Sequence, residues 1–168
     1  RVLVAFGANG QVISQPVAAD AFVLRAEQLP ELVADPAFLN AADLVPLALA
    51  GDRQAPAAAA LAEARALRER RLRWRTPLQQ ALFAHYQPYA EAVAAGAPRP
   101  DSDIPFPQID SPADIEAHAS LAFVSIVPEA GQWVVELGYA TDWDVEHTLG
   151  ARFAGERLLE LCGSILKR

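Results

Sequence analysis

The sequence is organised around one motif, Trp143-Asp144-Val145-Glu146-His147-Thr148-Leu149-Gly150. Its first five positions hold an aromatic residue, two carboxylates and one of the three histidines of the chain. Apolar, strand-like runs lie on both sides of the motif, which therefore connects two predicted strands. The surrounding pattern predicts the fold, and the polar residues inside the motif predict a site.

Four β-strands are predicted around this motif, at Ala119–Val127, Gln132–Ala140, Thr148–Phe153 and Arg157–Cys162. Glycine-containing turns at 129–131 and 154–156 separate the first two strands and the last two. Such short connections join antiparallel neighbours, because a parallel crossover needs about a dozen residues or more. The pattern therefore predicts a four-stranded antiparallel meander.

Helices are predicted before the meander. Residues 16–50 predict short helices, because three prolines interrupt this region. A longer helix is predicted from Pro56 to about Arg73, and another from Thr76, which Pro88 should kink or divide. Apolar residues at helical spacing mark these two helices. They are Leu61, Ala64, Leu67 and Leu72 in the first, and Leu78, Leu82, Phe83, Tyr86, Tyr89 and Val93 in the second.

The first residues predict a β-hairpin. Asn9-Gly10 lies between the apolar runs 2–6 and 11–14, and both turn residues tolerate positive φ. The rival interpretation is the first strand and glycine turn of a dinucleotide-binding fold, but Ile13 occupies the third glycine position. We predict one α+β domain over 1–168, with helices on one sheet face. Residues 1–75 form its hairpin and alanine-rich helical part, and 76–168 its helix and meander.

Composition restricts the partners. The net charge is −7 and the pI about 4.9, which disfavours nucleic acid and anionic membranes and favours a basic protein partner. No apolar run reaches the roughly 18 residues of a membrane span, and the layout of a signal peptide is absent, which predicts a cytoplasmic protein. Cys162 is the only cysteine, which excludes an internal disulfide. The sequence contains no phosphate-binding loop, and we expect no cofactor.

The carboxylates of the motif permit a chemical interpretation. Asp142, Asp144 and Glu146 alternate along the chain and would share one face of an extended strand. Together with His147 they could bind a divalent cation or supply a general acid and base. Asp142 or His118 would assist. This alternative is a metal-dependent hydrolase that uses Asp144, Glu146 and His147.

A structural interpretation of the motif competes with the chemical one. Trp143 would be a buried anchor that faces the helix carrying Leu82 and Phe83. Asp144 would cap backbone amides of a tight connection. Gly150 would permit a bulge or a positive φ.

Other charged residues around the motif are also interpreted as structural. Glu146 and His147 would pair with each other or with an arginine such as Arg152. His85 is interpreted as a residue at the helix surface or core edge rather than a ligand. A basic run in the predicted helix is interpreted as a solvated face. It consists of Arg65, Arg68, Arg70, Arg71, Arg73 and Arg75.

Residues 76–162 resemble a family of uncharacterised bacterial domains, a domain of unknown function. The resemblance lies in a C-terminal Trp-Asp-x-Glu-His-x-Leu-Gly signature, which is Trp143–Gly150 here, in the helix after Thr76, and in the approach to the first meander strand at Ile109–Pro112. Residues 15–75 depart from the more β-rich N-terminal half of that family. The resemblance implies an accessory or immunity-type protein of a bacterial toxin system, and it identifies no catalytic residue. We therefore expect a non-enzymatic protein-binding module.

Overall fold

The computed structural model describes residues 5–6, 12–13, 47–51, 56–97 and 105–163. These residues form an α+β fold, which confirms the predicted class. The elements are β1 (Ala5–Phe6), β2 (Val12–Ile13), β3 (Leu47–Leu49), helix α1 (Ala58–Ala94), a 3-10 helix (Asp114–His118), β4 (Ala119–Glu129), β5 (Gln132–Thr141), β6 (Leu149–Ala154) and β7 (Arg157–Gly163).

Strands β3 to β7 form one sheet in the order β3-β4-β5-β6-β7. The last four strands are the predicted antiparallel meander, with ends within two residues of the predicted ones. Gly131 and Gly155 adopt φ values of 81° and 57° in its two tight turns. Glycine reaches such angles without steric cost, which is why these turns could be identified from local sequence.

The predicted strand count is wrong, because a fifth strand joins the sheet. Strand β3 lies parallel to β4, with Leu47 opposite Val124 and Leu49 opposite Ile126. The prediction of a helix for these residues is therefore wrong. Ala48 and Leu49 are both buried, and their extended pairing with a core strand outweighs a weak local helical preference. The remaining predicted helices, over 16–46, lie outside the described residues.

The N-terminal strands pair antiparallel, as a hairpin requires, but they form a separate two-stranded sheet. Phe6 is opposite Val12, so five residues connect the two strands. The predicted turn residues Asn9-Gly10 fall within this connection. The turn itself lies outside the described residues.

Helix α1 is continuous over 37 residues and contains both Pro77 and Pro88. The predicted interruption at Thr76 is therefore wrong. A stripe of buried side chains continues past Pro77 at helical spacing, and its burial offsets the roughly 3 kcal/mol that an interior proline costs. The stripe consists of Ala60, Ala64, Leu67, Trp74, Leu78, Leu82 and Tyr86. Leu72, predicted to belong to it, is 71% exposed.

The stripe packs on one face of the five-stranded sheet and forms the core with it. Trp74 is fully buried there and stacks on Phe153 at a ring distance of 4.4 Å. Its indole N–H donates to the carbonyl oxygen of Gly155 at 3.0 Å. Trp74 therefore fixes the middle of the helix to the turn between β6 and β7.

Ion pairs surround this contact. Arg73 pairs with Glu156 in the same turn, and Arg75 pairs with Glu116 of the 3-10 helix at 2.8 Å. A third arginine of the basic run, Arg70, pairs with Glu63 within the helix. Arg73 and Arg75 therefore help to orient α1 against the sheet turn and the 3-10 helix, whereas the Arg70 pair is internal to α1.

Candidate functional site

The motif forms the connection between β5 and β6, over residues 142–148. This connection is a loop of bends rather than an extended strand. The carboxylates of Asp142, Asp144 and Glu146 therefore do not share one face. Asp144 is 8% exposed, Asp142 is half-buried and Glu146 is exposed.

Trp143 attaches the loop to helix α1, as the structural interpretation expects. The side chain is 5% exposed and meets the ring of Tyr86 edge-on at 5.7 Å. Its indole N–H donates to Nδ1 of His85 at 3.1 Å. The partners are thus on the predicted helix, about one turn beyond Leu82.

Asp144 holds the loop through both carboxylate oxygens. Oδ2 accepts from the hydroxyl of Tyr89 at 2.9 Å, and Oδ1 accepts from Nδ1 of His147 at 2.8 Å. The Thr141 hydroxyl also accepts from the backbone N–H of Asp144 at 3.3 Å. Burial tends to raise the pKa of Asp144, but the bonds from His147 and Tyr89 outweigh it and lower that pKa. The carboxylate is therefore ionised at neutral pH.

Protonation of the surrounding side chains responds to this carboxylate. The hydrogen bond and the negative charge of Asp144 raise the pKa of His147. Partial burial lowers the pKa of His85, although the Asp144 charge opposes this. Burial and the bond to Asp144 raise the pKa of Tyr89.

The remaining histidine also lies at the loop. His118 Nδ1 is 2.9 Å from Oδ2 of Asp142, and the backbone N–H of Asp142 donates to the His118 carbonyl at 3.1 Å. The three histidines of the chain therefore contact three consecutive residues, 142, 143 and 144. We call these residues the loop root.

The outer part of the loop is exposed. We call Val145, Glu146 and His147 the loop tip. Val145 is 53% exposed and is one of two large hydrophobic side chains that are exposed among the described residues, the other being Leu72. The His147 side chain is 65% exposed, so its Nε2 edge is accessible while Asp144 orients the ring.

Gly150 has a different role from the predicted one. Its φ is not positive, and the irregularity in the β6–β7 pairing lies between Arg152 and Phe153. A Cβ atom at Gly150 would collide with the buried carboxylate of Glu136 on β5. Glycine at this position leaves room for the end of the Glu136 side chain, which lies over the backbone of β6 and would have to move if a Cβ were added.

Arg152 does not pair with the loop tip. It forms ion pairs with Glu129 and Glu160 on the face of the sheet opposite helix α1. This side chain therefore belongs to the sheet rather than to the site.

The geometry does not favour the metal-binding alternative. Asp144 directs its oxygens at Tyr89 and His147, and Glu146 is exposed to solvent. Among the residues that the structure describes, no three His, Cys, Asp or Glu side chains are grouped to hold a metal ion. The arrangement supplies one oriented imidazole, which can donate or accept a proton at an exposed edge.

Three residues of the site were not predicted from the sequence to belong to it: His85, Tyr89 and Thr141. His85 and Tyr89 are four residues apart on α1 and therefore share one helix face, with ring centroids 5.3 Å apart. That spacing indicates that the two polar rings face the same neighbouring element of the fold. Their partners, Trp143 and Asp144, lie more than 50 residues later in the chain, and no local sequence pattern indicates these contacts.

A family model described as "Domain of unknown function (DUF6985)" matches residues 32–164. No curated protein and no solved structure compared with the chain gives a match. Among the described residues, no helix has the length and apolar character needed to cross a membrane. The family match covers most of the chain, including the site, so the chain belongs to this family of unknown function.

Proposed function

We propose that this member of the DUF6985 family is a non-enzymatic protein-binding module whose loop tip contacts a basic protein partner. One observation carries the proposal: the loop is fixed at its root and exposed at its tip. Trp143 and Asp144 bind helix α1 through His85, Tyr86 and Tyr89. The three following residues are exposed.

Such an arrangement suits recognition, because a fixed loop loses little conformational entropy when it binds. Binding residues also lie disproportionately on loops that a rigid scaffold positions. Val145 would enter an apolar depression of the partner, since its exposed surface is otherwise left in water. The loop tip therefore combines an apolar contact with polar residues that set orientation.

Charge supports the choice of partner. Glu146 is exposed beside Val145, and the whole chain carries a net charge of −7. An acidic surface accelerates association with a basic protein and disfavours acidic competitors. The partner should therefore present lysine or arginine next to an apolar depression.

The test is affinity capture from the native cell extract with the full chain and two loop-tip variants, Val145→Ser and Glu146→Lys. We expect the wild type to retain one stoichiometric partner, and both variants to lose it while keeping the wild-type melting temperature. The matched controls are Leu72→Ser and Glu91→Lys, which make the same changes at exposed positions of α1. Capture of no stoichiometric partner under several conditions, or equal capture by the loop-tip variants, would contradict the proposal.

A narrower form of this proposal is a cytoplasmic, immunity-like protein of a bacterial toxin system. The family resemblance of the motif and the acidic charge support it. A neighbouring reading frame for a basic, toxin-like protein is the first observation to seek. Co-expression should then relieve the toxicity of that protein, and Glu146→Lys should abolish the relief. Absence of relief by the wild-type chain would reject this form while leaving the broader one standing.

A further inference from the structure

The three histidine contacts of the loop root have different proton requirements. An ionised carboxylate only accepts hydrogen bonds, so Nδ1 of His118 and of His147 must carry a hydrogen toward Asp142 and Asp144. Both rings keep that hydrogen whether they are neutral or charged. These two bonds therefore do not require a neutral imidazole.

The contact between Trp143 and His85 is the reverse case. An indole N–H only donates, so Nδ1 of His85 must accept and must lack a hydrogen. A protonated His85 carries hydrogens on both ring nitrogens and has no acceptor for the indole. The bond therefore exists only while His85 is neutral.

We propose that acid breaks the hydrogen bond between Trp143 and helix α1 by protonating His85, so that the β5–β6 loop is held most firmly in its binding conformation at neutral and higher pH. The buried indole N–H would lose its acceptor, and two donors would face each other at 3.1 Å. The effect on partner binding rests on the proposed function, whereas the loss of the hydrogen bond itself does not.

The surroundings of His85 agree with this switch. The groups around it are the Asp144 carboxylate, the Tyr89 ring at 5.3 Å, and the indole of Trp143. Partial burial lowers the pKa of His85, so loss of the hydrogen bond lies on the acid side of the usual histidine range. The pKa of Asp144 is lowered as well, which keeps this carboxylate ionised while His85 titrates.

Protonation of His85 would break only one of the contacts that hold the loop. Asp144 remains bound to Tyr89 and His147, and Asp142 remains bound to His118. Trp143 lies between these two carboxylates and supplies the loop root with its buried aromatic contact. Loss of its hydrogen bond to His85 would therefore loosen the loop tip without unfolding the sheet.

The experiment follows the indole N–H resonances of the full-length, ¹⁵N-labelled chain by NMR between pH 8 and pH 5. The Trp143 resonance is assigned with Trp143→Phe. We expect it to shift, and its protection from hydrogen exchange to fall about tenfold or more, at a midpoint below about 6.5. The ring resonances of His85 should titrate with the same midpoint.

Trp74 is the internal control, because its indole donates to a backbone carbonyl that does not titrate. In His85→Gln the amide oxygen accepts at every pH, so the Trp143 transition should disappear. His118→Gln, at the neighbouring contact, should retain it. A Trp143 resonance that is unchanged to pH 5, one that moves together with Trp74, or the same transition in His85→Gln would overturn the proposal. If His85→Gln does not fold, different midpoints for His85 and Trp143 in the wild type would overturn it equally.

Discussion

Trp143 has both an apolar and a polar function in the loop root. Its ring is 95% buried against α1, and its N–H has one acceptor. We expect Trp143→Ala to lower the free energy of unfolding by roughly 3–5 kcal/mol, because it leaves a cavity and removes aromatic contacts. Thermal and urea unfolding measure this change. A shift in melting temperature of less than about 2 °C would show that Trp143 is not an anchor, since 1 kcal/mol moves a chain of this size by about 2–4 °C.

Trp143→Phe is the companion variant, because it keeps an aromatic ring and removes only the indole N–H. It should cost much less than Trp143→Ala, on the order of 1 kcal/mol. Equal losses in the two variants would mean that the hydrogen bond to His85, rather than ring burial, fixes the loop.

The presence of glycine at position 150 is explained by the close approach of the Glu136 side chain. A methyl group there meets Glu136, so Gly150→Ala should destabilise the fold by about 1–3 kcal/mol. The control is Gly163→Ala on β7, where an added Cβ meets nothing within 4 Å and the change should be small. In a Glu136→Ala background the cost of Gly150→Ala should nearly disappear. An undiminished cost there would assign Gly150 to backbone conformation instead.

At the scale of elements, helix α1 continues through two prolines that interrupt an otherwise helix-favouring sequence. Pro88 lies inside the helix and is exposed, so it contributes the cost of a missing backbone bond without core packing. We expect Pro88→Ala to stabilise the protein by about 1–3 kcal/mol, measured by urea unfolding. The adjacent exposed residue provides the control, since Gln87→Ala should change stability by only a few tenths of a kcal/mol. A lower melting temperature for Pro88→Ala would indicate that the ring makes a contact the helix needs.

At the scale of the whole molecule, two histidines give stability opposite dependences on pH. The pKa of His147 is raised in the folded state. The stability that the protein gains from the protonated ring is therefore fully present below the unfolded-state pKa, near 6.5, and is lost as pH rises through the raised pKa. The pKa of His85 is lowered in the folded state. The stability that the protein gains from the neutral ring is therefore fully present above the unfolded-state pKa, about 6.5, and is lost as pH falls through the lowered pKa.

The two contributions together favour the folded state most near neutral pH. Urea unfolding at about pH 5, 6.5 and 8.5 measures this dependence. His147→Gln should remove the loss of stability on the alkaline side, and His85→Gln the loss on the acid side. Unchanged differences between these pH values in both variants would show that the loop root does not contribute to the pH dependence.

The sequence by itself determined the meander and the anchoring role of Trp143. Strands β4 to β7 were predicted nearly to their ends, because alternation and glycine turns at 131 and 155 act within a few residues of the chain. Trp143 was predicted to contact the correct helix, because a large aromatic residue between two buried strands is expected to pack into the core between the sheet and its helix.

Tertiary structure decided the features that depend on distant partners. Helix α1 continues through Pro77 because a sheet formed later in the chain buries its stripe, and β3 is extended because β4 offers it an edge. The position of His85 beside Trp143, 58 residues away, and the crossing of Glu136 over Gly150 likewise have no local signal. Local sequence specifies contacts that the chain makes with its near neighbours, whereas these contacts exist only after the helix and the sheet have packed together.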